Sequence, residues 1–264
     1  MNNILVPLGT APDSHLTLQY AIDFAADFGA NVFVMDVFSA PGSAGLRNVT
    51  ATVNQNTKEQ LKEIIAKVDK KGVDIKLATY SGDLADGLIE LNRTLEIDLV
   101  ILRPQSNDIQ EELYLGNTSG KIIKQTNISA LIVPVGTVYK PFSSILTAFK
   151  SGVIKRNSIL NPLIEIKNKH RAVVNLLLVK TPGYTEEDLQ VNTSLLDLSE
   201  GLQITENATT YQGVLQHFKE NEPDLLCVFR RKRGFFKKLW EKNTIDKSEF
   251  FVPIPVLVLR VNKY

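Results

Sequence analysis

The strongest restriction on this chain is the alternation of short apolar runs with longer amphipathic stretches, which happens twice along its 264 residues. Short apolar runs bounded by turn signals suit strands buried on both faces, and such strands belong to parallel sheets whose crossovers are helices. Residues 4–7, 32–38, 73–79, 99–102 and 130–135 read as five strands of this kind. Between the first two, Asp13-Ser14 precedes Leu16, Leu18, Ala21, Ile22, Ala25 and Phe28 at mostly helical spacing, and Gly29 is placed as a stop. Further helices are expected over 57–71, ended by Gly72, over 83–95 and over 117–126. The polar stretch 39–55, rich in Gly, Ser, Asn and Thr, reads as a long connection.

The same order returns, less cleanly, in strand-like runs at 145–149, 173–180, 202–205, 225–229 and 255–261. Asp98-Leu99-Val100 recurs as Asp224-Leu225-Leu226, and Ile128-Ser129-Ala130-Leu131-Ile132-Val133 as Pro253-Ile254-Pro255-Val256-Leu257-Val258. From Asp98 to Val133 is 35 positions and from Asp224 to Val258 is 34, so the two units keep register where a fold would constrain them. The chain therefore reads as a tandem repeat of two α/β domains, 1–140 and 141–264, joined near Lys140-Pro141. Residues 1–140 carry 12 basic and 16 acidic side chains and residues 141–264 carry 18 and 13, so the halves have diverged in charge. Each half ends in an apolar fifth strand at a sheet edge, a template for pairing that proteins must cover. The two are expected to cover each other, antiparallel, as an intrachain pseudo-dimer.

Composition narrows the class further. Apolar residues make up 44% and charged ones 22%, and mean hydropathy is −0.03, the balance of a soluble globular protein rather than a disordered or fibrous one. A formal charge of +1 gives no whole-protein field for nucleic acid or an anionic membrane. The single cysteine, Cys227, excludes an intrachain disulfide framework. No basic leader precedes the first apolar run and nowhere do eighteen apolar residues run together, so a cytoplasmic location is expected, with neither export nor membrane spanning.

In an open parallel sheet the ligand crevice lies beyond the carboxyl ends of the strands, where strand order reverses. With strand one central and flanked by two and four, it is walled by Leu8-Gly9-Thr10-Ala11 and by the segment after Leu102. Leu115-Gly116-Asn117-Thr118-Ser119-Gly120, at a helix start, can offer N–H and hydroxyl donors to phosphate. The same residue types equally cap a helix that binds nothing.

Ile4-Leu5-Val6-Pro7, the long first helix, Gly82-Asp83-Leu84-Ala85, Asp98-Leu99-Val100-Ile101, and Leu115-Gly116 running on to Ala130-Leu131-Ile132-Val133-Pro134 together resemble a universal stress protein domain. The resemblance covers nearly all of 1–140 and is fainter over 141–264, where 224–229, Gly234-Phe235-Phe236-Lys237-Lys238-Leu239 and 254–258 carry it. It implies two Rossmann-like domains, each an open five-stranded parallel sheet in the order 3-2-1-4-5 with helices on both faces, paired through the fifth strands. In one branch of the family it also implies ATP in the crevice just described.

That branch has an aspartate directly after strand one and a phosphate loop G-x-x-G followed, nine residues on, by G-[ST]. Here the aspartate position is Gly9 in the first half and Lys150 in the second. The early glycines fall on Arg103 and Ser106, and the later pair on Gly116-Asn117, with Ser119 still a hydroxyl. In the second half they fall on Phe229, Lys232, Lys242 and Asn243. The candidate nucleotide contacts are thus Gly9, Thr10, Asp36, Val37, Arg103, Ser106, Gly116, Asn117, Thr118 and Ser119, all in the first half. A hydrogen bond to a charged group contributes about 1.5–3 kcal/mol, so losing the aspartate weakens nucleoside recognition roughly ten- to a hundredfold. Any ATP or other adenine nucleotide is expected to bind weakly, at no more than one site. Arg103 either meets a phosphate or is a solvated or ion-paired strand-end residue.

Other constellations point elsewhere. Arg230-Arg231-Lys232-Arg233 with Lys237 and Lys238 around Phe235-Phe236 is the one dense basic patch, and it is read as a solvated loop and helix face, not a nucleic-acid site. His15, His170 and His217 stand far apart with no metal-ligand spacing, so no metal is expected. No serine pairs with histidine and carboxylate in a nucleophile elbow, and no catalytic residue is assigned. Cys227 reads as a small buried hydrophobe, and Asp13 and Asp83 as helix caps. The expected function is a non-catalytic regulatory or sensing protein of the stress response, with an unknown protein partner and a homodimer of whole chains as further associations. The alternatives are a weak ATPase and a ligand-free interaction scaffold.

Overall fold

The computed structural model describes residues 1–9, 13–38, 47–104, 116–230 and 254–260. The first half runs β1 (Asn3–Pro7), α1 (Ser14–Phe28), β2 (Asn31–Phe38), α2 (Arg47–Ile65), β3 (Ile75–Ser81), α3 (Leu84–Leu95), β4 (Leu99–Leu102), α4 (Gly116–Gln125) and β5 (Ser129–Ile132). The second runs β6 (Ser144–Phe149), α5 (Asn161–His170), β7 (Val173–Lys180), α6 (Thr193–Leu196), β8 (Gly201–Glu206), α7 (Thr210–Asn221), β9 (Leu225–Phe229) and β10 (Val256–Leu259). All ten strands form one sheet in the order β3-β2-β1-β4-β5-β10-β9-β6-β7-β8, which is 3-2-1-4-5 met by its own reversal. Pairing is parallel within each half, and β5 meets β10 antiparallel, with Val256 opposite Ile132 and Val258 opposite Ala130.

Strands buried on both faces feed two cores. Ile4, Val6 and Val34 point to the side of Leu18, Phe24 and Leu61, while Leu5 and Met35 point to the side of Leu88 and Ile122. Every residue of β4, β5, β9 and β10 is buried, which accounts for the continuous apolar runs that betrayed them.

The repeated Asp-Leu motif has a structural purpose in both halves. Asp98 accepts hydrogen bonds from the backbone N–H of Asn2 (2.7 Å) and Asn3 (3.1 Å), fastening the start of β1. Asp224 does the same for β6 through the N–H groups of Ser143 (2.7 Å) and Ser144 (3.1 Å) and the Ser143 hydroxyl (2.7 Å). Gly87 and Gly213, separated by the same interval as the two aspartates, let α3 and α7 lie close on the sheet. A Cβ on Gly87 would come within 2.3 Å of the Met35 methyl, and one on Gly213 within 2.7 Å of Val179 Cγ2.

The boundaries differ from expectation in instructive places. α2 occupies part of the stretch 39–55 that reads as a connection; the low intrinsic helix propensity of Asn48, Val49 and Thr50 does not decide the outcome. It also ends before residue 71, and Val68 and Val73 pack against the core from the turn that follows. β5 ends at Ile132, just short of Pro134, which has no N–H to donate. The second crossover is shorter: between β7 and β8 stand only a 3-10 turn, Glu186–Leu189, and the four-residue α6, where the first half has α2.

Side chains also cross the junction of the halves. Asp27 on α1 accepts from the Tyr139 hydroxyl at 2.6 Å and lies 2.9 Å from His170 Nε2 on α5, while His170 Nδ1 accepts the Phe142 N–H at 3.1 Å. Burial works to raise the Asp27 pKa, but these two partners prevail and hold its carboxyl below the usual range. Arg230 and Arg260 reach over to the end of α4, donating to the carbonyls of Ile123 (2.7 Å), Thr126 and Asn127 (3.2 Å).

Candidate functional site

The crevice of the first half lies where β1 and β4 end side by side. Leu8 continues the pairing of β1, its N–H bonded to Met35 O at 2.8 Å, and the Gly9 carbonyl accepts the Ser14 hydroxyl at 2.7 Å, which ties the start of α1 to the end of β1. Arg103 leaves the end of β4 and pairs with the Asp13 carboxylate at the entry to α1. Its side chain is only 12% exposed against 39% for Asp13, so the guanidinium is the inner partner. The Arg103 guanidinium beside it holds the Asp13 carboxyl below the usual carboxylate range. Asp13 therefore stands at the cap position of α1 without capping it, contrary to the expectation from sequence, because its carboxylate is turned to Arg103. Asp83 does cap α3, accepting the Ala85 N–H at 2.9 Å.

Around this ion pair, Leu16, Thr17, Pro134 and Val135 complete a cleft of about 10 Å³ among the described residues, room for about one water molecule. Of the residues expected at a nucleotide site, Arg103 lines this cleft; the Gly9 carbonyl is engaged by Ser14, and Ser119 is not an open donor. It is buried and its hydroxyl donates to the Arg103 carbonyl at 2.5 Å, fixing α4 against the end of β4. Gly116, Asn117 and Thr118 form the first turn of α4. Thr10 and Ser106 lie outside the described residues.

Asp36 and Val37 sit at the end of β2, beside the strand that carries Leu8. Burial pushes the Asp36 carboxyl up to about 6, opposed by one bond accepted from the Val37 N–H at 2.8 Å.

The second half fills the corresponding space. Phe149 and Phe229, at the ends of β6 and β9, are 3% and 4% exposed and meet edge to face with ring centres 6.1 Å apart. Register places Leu178, fully buried, where the first half has Asp36. Beyond Lys150 the chain is bracketed by the 3-10 segment: Gly152 N–H donates to Asp188 O at 3.0 Å and its carbonyl accepts the Asn192 N–H at 3.0 Å. A Cβ on Gly152 would lie 2.5 Å from Val191 Cα, so this close approach requires glycine. Lys232, Lys242 and Asn243 lie outside the described residues, as do Arg231, Arg233 and the aromatics Phe235 and Phe236 of the basic patch.

Sequence reasoning missed three assignments. Arg230 belongs to the helix end just described, where burial lowers its pKa; only a structure could place it against carbonyls over a hundred residues away. The Asp27–Tyr139–His170 cluster was equally hidden by distance along the chain. The anchoring by Asp98 and Asp224 had a signal, since both precede an apolar strand within the repeat. Cys227 is fully buried, its thiol pushed up to about 12, and behaves as a small apolar residue. No helix among the described residues is long and apolar enough to cross a membrane.

Known proteins share this fold. The chain is 23% identical over 136 residues, 49% of its length and 80% of the relative's, to a universal stress protein of Methanocaldococcus jannaschii. A universal stress protein structure from Archaeoglobus fulgidus is similar over 99% of both chains at 16% identity, with a TM-score of 0.71. A protein of unknown function from Pseudomonas aeruginosa is similar over 98% of this chain and 92% of its own at 14% identity, with a TM-score of 0.57. Such structural likenesses establish the fold shared along the whole length. The sequence model of the universal stress protein family matches residues 1–134, just over half of the chain, and this chain belongs to that family.

Proposed function

We propose that this chain is a non-catalytic regulatory or sensing protein of the stress response, acting in the cytoplasm as an intrachain pair of domains, 1–140 and 141–264, with one degenerate nucleotide crevice and one closed crevice. The observation that carries this reading is the ion pair of Arg103 with Asp13. It sets a guanidinium at the end of β4, where the nucleotide-binding branch of the family has a glycine, and it matches that cation with a carboxylate already in place. An entering triphosphate must displace Asp13 before it can use Arg103, which keeps its affinity low. Filling of the second crevice by Phe149 and Phe229 supports the same asymmetry. Engagement of Arg230 with the end of α4 supports reading the adjoining basic patch as part of the protein's own surface rather than as a nucleic-acid site.

Titration calorimetry of the intact chain with ATP tests the reading. The expected result is at most one site per chain, with a Kd of about 1 mM, lost in Gly116→Lys, kept in Lys150→Ala, and without phosphate release. Two equivalent sites, or binding lost with Lys150→Ala alone, assign the ligand to the wrong half. Turnover above the Gly116→Lys control makes the protein an enzyme, and no heat at millimolar nucleotide favours a ligand-free scaffold.

A further inference from the structure

The two outer edges of the sheet are treated differently. β3 carries Lys76, paired to Asp74 at 3.2 Å, and residues of its crossover, Ile64, Ile65 and Val68, pack on the core face beside Ile75. Among the described residues β8, at the other end, pairs with β7 alone, and nearly every residue along it is exposed. Its register sets Leu202 beside Leu176 and Ile204 beside Leu178. Leu176 and Leu178 belong to the core on the α1 side. Leu202 and Ile204 extend that apolar stripe to the edge, yet they are 37% and 55% exposed, because the short α6 replaces a covering helix. From Gly201 to Thr205 the strand has no charged residue and no proline, so the usual means of blunting an edge are missing between its ends.

We propose that β8 is a docking edge for a second copy of this chain, pairing antiparallel with its own counterpart about a two-fold axis at Gln203. Residues opposite one another in an antiparallel pair share a face. An axis at Gln203 sets Leu202 against Ile204 of the other copy, and Ile204 against Leu202, so both exposed aliphatics are covered by the same operation that supplies the missing strand. The chain already closes its other two apolar edges in this way, β5 against β10, so the dimer extends an established mode of assembly into a twenty-stranded sheet. The same axis brings Glu200 of each copy opposite Glu206 of the other. Glu206 is held by Lys180 at 3.5 Å, but the repulsion ends the pairing at the strand's limits and makes the dimer tighten as salt rises.

Sedimentation velocity on the full chain over roughly 1–200 µM, at low and high salt, tests the proposal directly. A dimer that strengthens with both concentration and salt is expected. Ile204→Lys, at an exposed position where lysine does not threaten the fold, should weaken it at least about tenfold, while Leu77→Lys on β3 leaves it unchanged. Gln203→Cys should give a symmetric intermolecular disulfide on mild oxidation, since directly opposed residues stand within bridging distance. A monomer throughout the range, a dimer indifferent to Ile204→Lys, or failure of the Gln203→Cys variant to cross-link each overturns it.

Discussion

Set side by side, the two halves agree in their scaffolding and disagree at the ends of their strands. Asp98 and Asp224 anchor corresponding strands, Gly87 and Gly213 seat corresponding helices, and Glu96 and Glu222 both end a helix in the left-handed region, with φ of 46° and 36°. At the crevices Gly9 corresponds to Lys150, Arg103 to Phe229 and Asp36 to Leu178. Positions that hold the scaffold together are alike in the two halves, and positions at the ends of the strands are not. One crevice is polar and carries an ion pair, and the other is packed with aromatic side chains.

The sharpest break in this comparison is at Gly152. Counting along the sequence from the corresponding strands β1 and β6, its counterpart is Ala11, so the first half carries a methyl at that position. In the second the same methyl strikes the backbone at Val191 Cα, 2.5 Å away, and backbone cannot swing aside as a flexible side chain can. Gly152→Ala should therefore destabilise the chain by about 3 kcal/mol, the upper end for overpacking, in urea unfolding. A cost under about 0.5 kcal/mol, the range of an ordinary surface change, shows that the segment 185–192 does not brace the chain at Gly152.

The paired aspartates sharpen the likeness of the halves. Removing a carboxylate from two or three donors costs about 1–3 kcal/mol, with the larger loss expected where more donors are stranded. Asp224 serves three donors and Asp98 two, so Asp224→Ala should cost about 2 kcal/mol and Asp98→Ala about 1. Equal and negligible effects in thermal unfolding would reduce the repeated motif to a coincidence of sequence.

Much of this was legible in the sequence, and the parts that were not share a cause. Buried strands announce themselves by apolar runs, which is why β4, β5, β9 and β10 were found close to their true positions. The start of α2 escaped because Val49, Thr50 and Thr52 argue weakly for helix in isolation. In the crevice, residue types at the ends of β1 and β4 exposed the departures from the nucleotide-binding pattern. Their consequence depended on which groups meet. Whether Arg103 finds water, phosphate or Asp13, and whether Ser119 donates outward or to the Arg103 carbonyl, are questions of a few ångströms between segments distant in the chain. Local patterns do not carry that information.

Asp36 offers a smaller effect with a definite sign. Its carboxyl is raised from the ordinary 3.8 to about 6 by burial, so between these values the folded chain holds a proton that the unfolded chain has released. Stability then falls as pH rises through that window, and above about 6 the full penalty remains, on the order of 1–3 kcal/mol. Asp36→Asn keeps an oxygen for the Val37 N–H and carries no charge. It should raise Tm by about 2–4 °C at pH 7.5 and barely at pH 4, bringing this position closer to the apolar Leu178 of the other half. A variant less stable than the parent at pH 7.5 would mean that the charged form has a partner worth more than its burial costs.

The smallest expected change in stability belongs to the latch itself, and it bears most on function. Asp13 is well exposed, so solvent screening limits the Arg103 pair to under about 1 kcal/mol. With its carboxyl held below the ordinary 3.8, whatever the pair contributes is present above that pH and is lost as pH falls through the lowered value. Asp13→Asn removes the resident anion while leaving the guanidinium in place at the end of β4. Tm should then drop by no more than about 2 °C, while affinity for pyrophosphate or ATP rises roughly three- to tenfold, because the incoming anion no longer competes with a carboxylate for Arg103. The gain should disappear in Asp13→Asn combined with Arg103→Ala, and Lys150→Ala should not reproduce it. If Asp13→Asn leaves anion affinity where it was, the ion pair is a structural tie alone, and the two crevices differ only in the manner of their closing.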